Sequence, residues 1–104
     1  MVGPQAYSAL EALADCDHDE ALKRAAAARS ASNPNYQVAG LWTQVLTYAD
    51  GGEMAQAKGM LPAVVEADWE MKTEAQAEAF LGDLMNAMMD IREQYDLPRT
   101  CENS

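Results

Sequence analysis

The chain is short of the residues that build sheets. Only ten of its 104 positions are β-branched (five Val, one Ile and four Thr), against twenty Ala and seven Met. That balance favours helix over strand at almost every local choice. Basic side chains are also scarce: Lys and Arg number 7, Asp and Glu 17, for a net charge of −10. So few cations argue against nucleic acid or anionic lipid as a direct partner, because such binding depends on Lys and Arg neutralising phosphates. No apolar run approaches the roughly 18 residues that a membrane span needs. Met1-Val2-Gly3-Pro4 has neither a charged leader region nor an apolar one, so a cytoplasmic location is expected. Histidine occurs once and cysteine twice. Cys16 and Cys101 stand far apart in the chain, and with no other sign of an oxidising compartment they are expected to be free thiols.

What is present is enough apolar matter, 49% of residues, for one core. The expected fold is all-α, a bundle of four to five helices over residues 1–97 with a long last helix, followed by a polar and mobile tail over 98–104. Tyr7, Leu10, Leu13 and Ala14 mark a first helix, with Pro4 in its first turn. Asp17 followed by Glu20 is a capping box for a second helix running to about Arg29. Its Ala25–Ala28 interior needs a partner that approaches closely. Asn33-Pro34 reads as a cap and first helical residue, and Val38, Leu41, Trp42, Val45 and Leu46 as a core-facing stripe stopped by Asp50-Gly51-Gly52. A fourth segment from Met54 to Val65 contains Pro62, which predicts a break at Met60–Leu61. Thr73 with Gln76 caps the last helix, which carries Phe80, Leu81, Leu84, Met88, Ile91 and Tyr95 and ends by Pro98. A helix of about 22 residues is expected to outreach its own domain.

Chemistry-bearing residues crowd only at Asp15-Cys16-Asp17-His18-Asp19-Glu20. Counted from Asp15, a calcium loop would need Gly at position six and Glu at twelve, where Glu20 and Ala26 stand. Zinc would need Cys16 and His18 joined by ligands from elsewhere, and only Cys101 offers a second sulfur. Cys16 and His18 are too close in sequence to converge as nucleophile and base. Neither a phosphate loop nor a nucleophile elbow accompanies the carboxylates. The reading is a non-enzyme with no catalytic residues, no cofactor and no metal.

Apolar residues exceed what one core requires. Met85, Met88 and Met89 join Phe80, Leu81 and Leu84 on the last helix, and methionine suits adaptable contact surfaces. Homodimerisation through Leu84, Met88, Ile91 and Tyr95 would cover that surface. The second half is also rich in acids (Glu66, Asp68, Glu70, Glu74, Glu78, Asp83, Asp90, Glu93 and Asp96), an array that suits either solubility or mimicry of nucleic acid. Asp19-Glu20-Ala21-Leu22 and Ala55-Gln56-Ala57-Lys58, 36 positions apart, resemble paired tetratricopeptide-type helices. The usual first-turn glycine is missing, and Pro62 interrupts the second unit.

Three segments, Ala9-Leu10-Glu11-Ala12-Leu13, Leu41-Trp42-Thr43-Gln44-Val45-Leu46 and Leu84-Met85-Asn86-Ala87-Met88-Met89, together with length and acidity, resemble the small quorum-sensing anti-activators of pseudomonads. The resemblance implies a regulatory protein that binds the ligand-binding domain of a LuxR-type transcription factor and blocks its dimerisation, and so its binding to DNA. On that reading the partner-facing residues are Tyr7, Leu10, Leu13 and Trp69, with Trp42 and Tyr95 as further aromatic anchors. Two other readings stay open: an acidic DNA-mimic inhibitor of a nucleic-acid-binding protein, and a tetratricopeptide-like adaptor.

Overall fold

Helix starts in this chain are written by short polar side chains. Asp17 accepts the backbone N–H of Glu20 at 3.3 Å, Asn33 that of Asn35 at 2.9 Å, and Thr73 that of Gln76 at 3.1 Å, each satisfying a donor the first turn leaves unpaired. Gln76 completes its capping box one residue early, accepting the N–H of Lys72 at 2.9 Å. The computed structural model describes residues 4–68 and 70–101, and within them every regular element is helical: α1 (Pro4–Ala14), α2 (His18–Arg29), α3 (Pro34–Asp50), α4 (Met54–Gly59), α5 (Leu61–Ala67) and α6 (Glu74–Gln94). α4 and α5 are one rod broken at Met60, with Pro62 in the first turn of α5, where its missing N–H costs nothing. Counted so, there are five rods, the all-α bundle with a long final helix that the sequence predicts.

Three helices end in the same way. The residue one past the cap takes a left-handed conformation: Cys16 (φ 62°) after α1, Gly52 (φ 82°) after α3 and Asp96 (φ 58°) after α6. In each, the following N–H reaches back five residues, from Asp17 to the Ala12 carbonyl, Glu53 to Tyr48 and Leu97 to Arg92, at 2.8–2.9 Å. These are Schellman closures, and glycine occupies the left-handed position in only one of them. α6 therefore stops three residues short of Pro98.

α1, α2 and α3 form the tight part of the bundle. α2 contributes Ala21, Ala25 and Ala28 to the interior, and the close approach its small residues demand is met by Gly40 of α3. A Cβ there would lie 2.7–2.8 Å from the Arg29 nitrogen, the Ala25 carbonyl and the Ala28 methyl. Leu41, Trp42, Val45 and Leu46 fill the centre against Leu13, Leu61, Val64, Leu81 and Met88. Trp42 donates its ring N–H to Asp68 at 3.0 Å and meets Phe80 edge-on at 4.9 Å, so this anchor candidate belongs to the core. α6, about 31 Å long by helical rise, packs on α5, α3 and α1, and the long axis of the whole molecule is 35 Å.

Candidate functional site

The C-terminal ends of α1, α3 and α6 converge on one side chain. Arg92 of α6 is fully buried, 0% exposed, and all five of its N–H donors are used. Nε donates to the Ala14 carbonyl at 3.2 Å, and Nη2 to the Leu13 carbonyl at 2.6 Å and Asp50 Oδ2 at 2.8 Å. Nη1 donates to Asp50 Oδ1 at 2.7 Å and the Arg99 carbonyl at 3.3 Å. The fork fits the Asp50 carboxylate bidentately, a geometry only Arg provides. Ala14 presents a carbonyl that the last turn of α1 leaves without a helical partner, Leu13 one that also accepts the Cys16 N–H at 2.9 Å, and a cation at three helix C-termini is favoured by their dipoles. Arg92 thus caps α1 from 78 residues away.

Asp50 is the hub. Besides Arg92 it meets His18 Nε2 at 2.8 Å. Burial pushes the Asp50 carboxyl up, but hydrogen bonds from Arg92 and His18 and their charges outweigh it and hold the group below its ordinary value. His18 is the first residue of α2, as the Asp17 cap implies, and a partner of α3. It does not pair with Cys16, as its spacing indicated.

Both cysteines lie against this cluster and are joined to each other: Cys16–Cys101 is a disulfide, with Cα atoms 5.7 Å apart. The free-thiol expectation is overturned. The left-handed turn at Cys16 turns the chain beside the end of α6, and the segment after Pro98 folds back, held by Arg92 at the Arg99 carbonyl, until Cys101 arrives. The tail through Cys101 is accordingly fixed rather than mobile. Cys101 Sγ stands 3.2 Å from Asp50 Oδ2, a contact and not a hydrogen bond, since a bridged sulfur has no proton. A cavity of about 290 Å³ opens beside it, lined by Ala49, Asp50, Gly52, Met85, Met89, Thr100 and Cys101. Met85 and Met89, assigned above to a contact surface, line this cavity.

The residues proposed for partner and self contacts divide sharply. Leu13 and Met88 are core residues and present nothing outward: Leu13 faces inward with Ala6 and Ala9 because α1 packs on α2 and α3, so α1 is not free to dock as a unit. Leu10 and Leu84 are half-buried against the core. Trp69 lies outside the described residues. Large apolar side chains that remain in solvent are Tyr7 (61% exposed), Tyr95 (73%), Ile91 (42%) and Phe80 (37%). At 100° per residue, Phe80, Ala87 and Ile91 lie within about 40° of one another on α6, on the flank away from Met85 and Met89. Ala87 is exposed too, so this edge is apolar over three turns. The buried Arg92–Asp50 pair escaped sequence reasoning. Its one signal was position, since Arg92 stands four residues after Met88, in the core-facing stripe.

Compared with known proteins, the chain matches no family model, no curated protein and no solved structure.

Proposed function

We propose that the chain is a non-enzymatic regulatory protein that acts by binding another protein, and that its partner is a LuxR-type quorum-sensing transcription factor in the cytoplasm, whose dimerisation and DNA binding it blocks. The observation that carries the binding role is the exposure of Tyr7, Ile91 and Tyr95 on an otherwise well-packed bundle. Tyrosine buries a large apolar body while keeping its hydroxyl hydrated, which makes it an effective anchor. The partner is named by the resemblance of the three helical segments quoted above. Tyr7 and the adjoining half-buried Leu10 serve the receptor, and the Phe80–Ile91 edge with Leu84 and Tyr95 serves a second copy of the chain. The acids around these residues form the polar rim that protein interfaces carry.

The test is a binding isotherm with the ligand-binding domain of a LuxR-type receptor at low and at moderate salt. Apolar anchoring predicts nearly equal affinities at both, and a loss of at least about tenfold in Tyr7→Asp, a cost of 1.4 kcal/mol or more, with the helical circular dichroism unchanged. An affinity that falls steeply with salt supports the acidic-mimic reading instead.

A further inference from the structure

Two observations stand apart from the binding surface. The ligand atoms of His18, Asp50 and Cys101 lie within 4.8 Å of one another, and Cys16, bonded to Cys101, holds a second sulfur one bond beyond that group. In the disulfide form neither sulfur is a metal ligand, because thiolate is the binding species. We propose that the reduced chain holds one zinc ion between Cys16, Cys101, His18 and Asp50, so that disulfide and zinc are alternative cross-links at the same place in the fold.

The chemistry balances. A dithiol reductant transfers two electrons and two protons to the Cys16–Cys101 bond, becoming a disulfide itself and leaving two thiols. Zinc then displaces both thiol protons and is coordinated by two thiolate sulfurs, the His18 imidazole and one Asp50 oxygen. Four ligands of this kind satisfy the tetrahedral preference of zinc, with bonds of about 2.0–2.3 Å. Ligand atoms then stand roughly 3.3–3.8 Å apart by tetrahedral geometry. His18 Nε2 is 2.8 Å from Asp50 Oδ2, and Cys101 Sγ is 3.2 Å from the same oxygen; a separation of a few tenths of an ångström admits the ion. The two sulfurs need only the freedom that reduction gives them.

Charge supports the assignment. Two thiolates, one carboxylate and Zn²⁺ sum to −1, and Arg92 restores neutrality. Its guanidinium, hydrogen-bonded to both Asp50 oxygens, is the kind of outer partner that orients a ligating carboxylate. Solvent has access: the 290 Å³ cavity reaches Asp50 and Cys101 on one side, and a smaller one lined by His18, Thr47, Tyr48 and Gly51 reaches the imidazole on another. By sequence alone zinc is short of ligands, since only Cys101 offers a second sulfur and there is no second His. The fold supplies them from the α1–α2 turn, the start of α2, the end of α3 and the tail.

The experiment is a titration of the full chain with Co²⁺, the spectroscopic stand-in for zinc, after reduction by a phosphine that leaves no competing thiol. One equivalent should give intense thiolate-to-cobalt absorption with tetrahedral ligand-field bands, abolished by one equivalent of Zn²⁺. The disulfide form should show neither. His18→Gln and Cys101→Ser should each weaken binding by at least about tenfold, and since Zn²⁺ also folds small domains, helical circular dichroism of the reduced chain should rise on addition. Absence of the charge-transfer band in the reduced chain overturns the proposal. So does a band whose affinity His18→Gln leaves unchanged, which would mean metal held by the two sulfurs alone.

Discussion

At the scale of single residues, the fold turns on a buried cation whose five donors each have an acceptor. Breaking such a pair leaves the other charge uncompensated. Arg92→Met is expected to cost about 3–5 kcal/mol, read as a fall in the urea midpoint at pH 7. Asp50 adds a pH signature. Its carboxyl is held below the ordinary value in the folded state, so the stability it contributes is fully present above the unfolded pKa of about 3.9 and is lost as pH falls through the lower folded value. Wild type should therefore lead Asp50→Asn at about pH 5, and urea titrations below pH 4 should show the margin shrinking. Neither residue is conspicuous in the sequence: Asp50 reads as a helix stop and Arg92 as one of seven basic residues. Their pairing spans 42 positions, beyond any local rule.

At the scale of elements, the helices were legible because their ends are local events. Asp17, Asn33 and Thr73 cap within three residues, and Pro62 breaks a helix where its ring and missing N–H require it. What local reasoning missed were the closures at Cys16 and Asp96, where non-glycine residues take the left-handed turn. The first of these sets Cys16 beside the folded-back tail. Two cysteines separated by 85 positions gave no hint of this, since spacing says nothing about how helices pack. Closing so long a loop constrains the unfolded chain, and in the chain-entropy model the bridge contributes about 4–5 kcal/mol. With metal excluded by a chelator, reduction should lower the thermal midpoint clearly, to the value that Cys101→Ser shows with or without reductant; an unchanged midpoint would show that the tail contributes nothing to the bundle.

At the scale of the whole molecule, the bundle satisfies its own core and leaves an apolar edge on α6 and a tyrosine on α1. Of nine residues the sequence singled out for contacts, Leu13, Trp42 and Met88 were drawn inward, because helical periodicity marks the apolar face of a helix without telling which part of it a neighbour covers. Ile91 stands where that cover ends. If the edge joins two copies, Ile91→Glu should convert a dimer mass to a monomer mass in light scattering while preserving helicity. We propose that this chain binds a LuxR-type receptor in place of the receptor's own partner subunit. Co-expression with the receptor's ligand-binding domain, followed by size exclusion with light scattering, tests it most directly. The expected result is a co-eluting species whose mass contains a single receptor protomer, at low and moderate salt alike. Separate elution, or a complex that still contains a receptor dimer, would contradict it.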